Sequence, residues 1–138
     1  MIARIALSAI FLSAAAAAQP VAIVPIALSS FHIAPSTIHL IAGQRVRLVF
    51  SNASGGSHDF TAPALFARAS NVSGPVERGE VELAGHLSAT VTLTPARGTY
   101  KAKCSHFAHK MMGMSAVIVV DRLRRVRPFS PPPSPGLA

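Results

Sequence analysis

The chain has 138 residues, about half of them apolar, which is the length of one domain with enough nonpolar side chain for a single core and argues against more than one folded unit. Its formal charge of +8 sits largely at the ends: setting aside Arg4 and the late arginines Arg122, Arg124, Arg125 and Arg127 leaves eight basic residues against five acidic, near +3. A nucleic-acid binder places its basic residues in a stripe, often with stacking aromatics, whereas the seven Phe and one Tyr here fall mostly in apolar-periodic segments, so nucleic-acid binding is set aside.

The N-terminus carries one early charge at Arg4, an apolar stretch from Ile5 to Ala18 and a small-residue exit before Gln19-Pro20. That is the pattern of a secretory signal peptide, expected over residues 1–19. The stretch is short for a membrane span, which needs roughly 20 apolar residues. An uncleaved anchor is the alternative. An exported, periplasmic-type location follows as an expectation, and there a lone cysteine, Cys104, asks for a reason such as metal ligation, an intermolecular bridge or a reactive thiol. Burial as a small hydrophobe is the bland reading.

From residue 20 to 121 the chain reads as one domain. Val21 to Leu28 and Thr37 to Ile41 are short β-branched runs. In Arg45-Val46-Arg47-Leu48-Val49-Phe50 the alternation puts Val46, Leu48 and Phe50 on one face and both arginines on the other, the pattern of a half-buried strand. Ser51 to Ser57 reads as a Ser/Asn/Gly loop, and from Thr61 to Gly79 the pattern loosens around a short, poorly capped helix over Ala64 to Ala69. Val81 to Leu83 and Ala89 to Leu93 alternate again, Pro95 to Gly98 is a turn, and Tyr100, Ala102 and Cys104 share one face opposite Lys101 and Lys103. Ser115 to Val120 is a last strand. The basic, Pro-rich residues 122–138 cannot bury a face and are expected to be disordered. About seven or eight short strands without a long amphipathic helix predict an all-β antiparallel sandwich or barrel.

Residues 103–114, KCSHFAHKMMGM, hold the single cysteine, two of six histidines and three of four methionines. Positions five apart on an extended strand lie roughly 16 Å from each other, whereas metal bonds to nitrogen or sulfur are roughly 2 Å, so ligands spaced as Cys104, His109 and Met114 can meet only across a loop. Gly113 permits the return. One thiolate, imidazoles and a weak thioether suit copper, and a trigonal Cys/His/His site with a long axial Met is the blue-copper arrangement. The missing histidine must come from elsewhere, and His58, in the loop leading into Phe60, is the best candidate.

Ser30-Phe31-His32-Ile33-Ala34-Pro35-Ser36-Thr37-Ile38, Ala42-Gly43-Gln44-Arg45-Val46, Asn52, Ser57-His58-Asp59-Phe60, Gly98-Thr99-Tyr100 and the Cys104 to Met114 loop together resemble the cupredoxins, the family of plastocyanin, pseudoazurin and azurin. The resemblance spans roughly residues 22 to 120. It implies a Greek-key β-sandwich binding one copper ion, Cu(I) or Cu(II), near one end and passing single electrons between redox proteins, with His58, Cys104 and His109 as equatorial ligands and Met114 as the axial one. Three features depart from the family pattern. Asp59 stands where many relatives have Asn, Phe107-Ala108 precedes the loop histidine in place of Pro or Gly, and His106, Met111 and Met112 are surplus potential ligands.

His106 is expected to point away from the metal, and Met111 and Met112 to pack around the loop. His32, His39 and His86 are expected to be structural. Asn52-Ala53-Ser54 and Asn71-Val72-Ser73 match glycosylation acceptors but carry little weight. A cysteine-histidine nucleophile lacks a third group behind the histidine, so the chain is expected not to be an enzyme. The leading expectation is an exported electron shuttle; the alternative is a copper carrier or buffer that uses the surplus ligands. The expected partners are redox proteins, acidic ones by charge, with membrane contact at most through the basic tail and a monomeric state.

Overall fold

The computed structural model describes residues 20–106 and 113–123. The expected signal peptide, most of the basic tail, His109, Met111 and Met112 lie outside the described residues. Among the described residues ten strands and one helix follow in chain order: β1 (Ala22–Ser29), β2 (His32–Ala34), β3 (Thr37–Ile41), β4 (Val46–Asn52), β5 (His58–Thr61), α1 (Pro63–Arg68), β6 (Ser70–Ser73), β7 (Glu80–Leu83), β8 (Ser88–Thr94), β9 (Gly98–Lys103) and β10 (Ser115–Asp121). They form two five-stranded sheets, ordered β2-β1-β4-β8-β6 and β3-β10-β9-β5-β7. The all-β sandwich is as expected.

Period-two alternation is what closes the sandwich. In β4 the buried side chains are Val46, Leu48, Phe50 and Asn52, while Arg47 and Ser51 face solvent. In β9 Tyr100 and Ala102 point inward and both lysines outward. Phe50 and Phe60 meet across the two sheets with ring centroids 5.0 Å apart, and Phe66 of α1 stands edge-on to Phe60 at 6.5 Å. Each such buried aromatic or aliphatic side chain contributes about 1.5–3 kcal/mol. Helix α1 begins at Pro63 and has no side-chain cap, so packing of Leu65 and Phe66 holds it.

Two parallel pairings set the directions that matter for the site. β1 runs beside β4 from Ala22↔Val46 to Leu28↔Asn52, and β3 beside β10 from Thr37↔Val117 to Ile41↔Asp121. β9 runs antiparallel to β10, pairing Gly98 with Val120 and Lys103 with Ser115. Asn52, Lys103 and Ser115 therefore lie at one end of the sandwich. Ala22, Val46, Gly98 and Asp121 lie at the other, where Ala42 N–H donates to the Asp121 carbonyl (2.8 Å) and Gly43 N–H to the Pro95 carbonyl (3.0 Å).

The strand count exceeds the expected seven or eight for a physical reason. β2 buries only Ile33, and β6 buries nothing; β6 is held by backbone pairing to β8 with a register shift between Ser70 and Ser73. Neither leaves an alternating pattern. His58 also differs from expectation: it opens strand β5, paired with Leu83 of β7, and does not lie in a loop.

Candidate metal centre

Cys104 follows β9 on its inward face and is fully buried. Its amide donates to the carbonyl of Met114 (3.1 Å), so the two ends of the ligand loop are pinned by one backbone hydrogen bond. Met114 is itself buried, at the foot of β10. Gly113 beside it adopts φ +75°, the left-handed conformation the return was expected to need.

His58 enters from the neighbouring strand and is also buried. Its Nε2 lies 2.8 Å from Ser54 Oγ. Ser54 is held by Asn52, whose Oδ1 accepts from the Ser54 amide (3.0 Å) and hydroxyl (2.8 Å). The Asn52 amide nitrogen faces the carbonyls of Gly56 (2.8 Å), Ala84 (3.2 Å) and Leu83 (3.3 Å), tying the loop before β5 to the end of β7. Gly85 completes that seam, because a Cβ there would collide with the Gly55 carbonyl oxygen. With its amide so engaged, Asn52 offers no glycosylation acceptor in the folded domain.

Asp59 is buried between these two strands, and its carboxylate gathers donors. It accepts from Ser105 N–H at 2.8 Å on both oxygens, from Ser105 Oγ–H at 2.7 Å and from Thr61 Oγ–H at 2.6 Å. The Cys104 thiol reaches its Oδ2 at 3.7 Å. Burial pushes the Cys104 thiol above its ordinary value; hydrogen bonds from the Asp59 and His106 backbone oppose the shift, while the Asp59 carboxylate adds to it.

His106 turns to the acidic side chains, its Nε2 3.2 Å from Glu82 Oε1 and 3.6 Å from Asp59 Oδ2. Asp59, Glu82 and His106 thus form a tight polar group, but the Asp59 oxygens are already occupied by Ser105 and Thr61. His32, His39 and His86 are exposed. The supports that sequence reading missed are Ser54, Thr61 and Ser105. They sit beside the run His58-Asp59-Phe60, three consecutive buried residues that break period two, and no local sequence pattern marks them.

The structure thus brings Cys104, Met114 and His58 to one end, buried, and leaves His109 outside the described residues. Buried thiol, thioether and imidazole are soft and borderline donors that together fit a copper ion.

Residues 1–120 match the model of the cupredoxin-like domain. No curated protein matches the chain in sequence. Among solved structures, auracyanin B is 25% identical, with 78% of this chain and 94% of that chain covered and a TM-score of 0.54. Auracyanin A, a "blue" copper protein from the green thermophilic photosynthetic bacterium Chloroflexus aurantiacus, is 22% identical over 71% of this chain and 98% of that one, with a TM-score of 0.51. A multicopper oxidase from Campylobacter jejuni, a metallo-oxidase, shares the fold at 11% identity and a TM-score of 0.60, over 78% of this chain and 31% of the oxidase. The chain belongs to the cupredoxin-like domain family.

Proposed function

We propose that this protein is an exported type 1 copper protein that passes single electrons between redox partners and is not an enzyme. The observation that carries the reading is the burial of Cys104 and Met114 at the two ends of one loop, joined by the Cys104 N–H to Met114 carbonyl bond, with buried His58 brought in from β5. His58, Cys104 and Met114 would hold the metal, with His109 as the fourth ligand carried by the family resemblance. Bound copper would supply a one-electron couple whose potential the axial ligand and the surroundings of the thiolate set.

The chain's own part is to hold these donors still. Asn52 fixes Ser54, Ser54 fixes the His58 ring, and Asp59 fixes the Ser105 backbone next to Cys104. A set of ligands that does not move between oxidation states adds little reorganisation to electron exchange. The exported location rests on the residue 1–19 pattern, and among the described residues no helix is long and apolar enough to cross a membrane.

Reversible exchange separates a shuttle from a copper carrier. The copper-loaded protein is expected to give a reversible one-electron wave and to exchange electrons rapidly with a small redox protein. Very tight cuprous binding without exchange would overturn the shuttle in favour of a carrier.

A further inference from the structure

We infer that the end of the sandwich opposite the candidate metal centre is a docking surface for an anionic lipid bilayer. Most of the described arginines collect at this end. Lys101 and Lys103 lie on β9, Lys103 immediately before Cys104, whereas Arg45, Arg47, Arg68, Arg97 and Arg122 gather at the far end and Arg78 stands apart, in a cleft with Pro63 and Val72. Arg45 and Arg47 open β4 beside the turn that is bonded to Pro95 and Asp121. Arg68 and Arg97 line one cleft of about 440 Å³ with Gly98, Thr99, Val120 and Asp121.

Asp121 is the single carboxylate in that cleft, and the salt bridges among the described residues involve only His106, so these arginines keep their charge for an external anion. Arg68 is placed by stacking, its guanidinium 5.7 Å from the Tyr100 ring centroid. Tyr100 is in turn anchored by its hydroxyl to the Ala96 carbonyl (2.8 Å). A guanidinium held in this way pairs with phosphate oxygens in a forked geometry that a lysine cannot match.

A second, independent feature points to a bilayer in preference to an acidic protein. Three of the large exposed apolar side chains sit at this same end: Val21 (37% exposed), Ile23 (64%) and Leu123 (69%). Apolar side chains flanked by arginines are the composition of an interfacial contact, in which the apolar part enters the headgroup boundary and the cations meet anionic headgroups. The chain also enters the sandwich here, at Ala22, and leaves it here, at Asp121. Docking by this end would leave the centre near Cys104 facing away, roughly 20 Å up the strands.

The test is cosedimentation of the exported chain, residues 20–138, with vesicles of phosphatidylcholine alone and of phosphatidylcholine and phosphatidylglycerol in equal parts. Stronger partition onto the anionic vesicles is expected, falling roughly tenfold or more in the double variant Arg68→Gln, Arg97→Gln. The charge-matched variant Lys101→Gln, Lys103→Gln at the other end is expected to bind like the unchanged protein. Circular dichroism of both variants checks that the fold is kept. Equal partition onto both vesicle types, equal losses in the two double variants, or no loss with Arg68 and Arg97 replaced would each overturn the assignment.

Discussion

Asp59 and Ser105 are joined three times over: both carboxylate oxygens accept from the Ser105 amide at 2.8 Å, and Oδ2 also accepts from its hydroxyl at 2.7 Å. This fixes the backbone beside Cys104 from a strand remote in sequence. Asp59→Ala removes the acceptor these donors share, and a hydrogen bond to a charged group is worth about 1.5–3 kcal/mol. A loss of that size or larger is expected in urea denaturation of the metal-free protein, with Asp59→Asn, which keeps one acceptor oxygen, losing less. In the copper-loaded protein Asp59→Asn is also expected to raise the reduction potential, because a negative charge near the site favours the more positive oxidation state.

Ser54 sets the His58 ring through a 2.8 Å contact to Nε2. Partners of this kind typically change metal affinity 10- to 100-fold. Ser54→Ala is therefore expected to weaken copper binding by about that factor, while the unfolding midpoint of the metal-free protein moves little. A competition titration against a copper chelator measures the first, and equal affinity in the variant would contradict the role given to Ser54.

How much of this was legible in the sequence follows from how each feature is encoded. The inward faces of β4 and β9 were readable because alternation alone decides which side chains are buried, whereas the continuous apolar run of β10 marked a strand without a face. Cys104 and Met114 were readable because their chemistry is rare in so bland a chain. The strand β6 was not, since Ser70 to Ser73 buries no side chain and is held by its neighbour's backbone. The place of His58 at the head of β5 depends on its pairing with Leu83, and the grip of Asp59 on Ser105 spans 46 positions. Local patterns carry neither.

The raised Cys104 value has a sign that can be followed in solution. As pH rises past the ordinary thiol value of 9.0, an unfolded chain gives up the proton while the folded one keeps it. The unfolded state then binds fewer protons, so this contribution to stability is fully present below about 9 and is lost as pH rises through the folded value. Denaturation of the metal-free protein across that range is expected to show the decline, and Cys104→Ser to remove it. Because the thiol must release its proton to bind metal, copper affinity is expected to rise with pH.

Phe60 stands two residues after His58 and touches both Phe50 and Phe66. Phe60→Ala opens the core directly beneath the candidate centre and is expected to cost about 3–5 kcal/mol. Against a typical total of about 5–15 kcal/mol, that loss should shift the thermal midpoint of the metal-free protein steeply downward. A near-unchanged midpoint would contradict the packing described here.

The most direct measurement is the visible spectrum of the protein after addition of cupric ion, taken beside that of Cys104→Ser. An intense thiolate-to-copper band is expected in the first and its loss in the second. A protein that binds no copper, or a band that survives the removal of the Cys104 sulfur, would contradict the assignment of a type 1 copper centre.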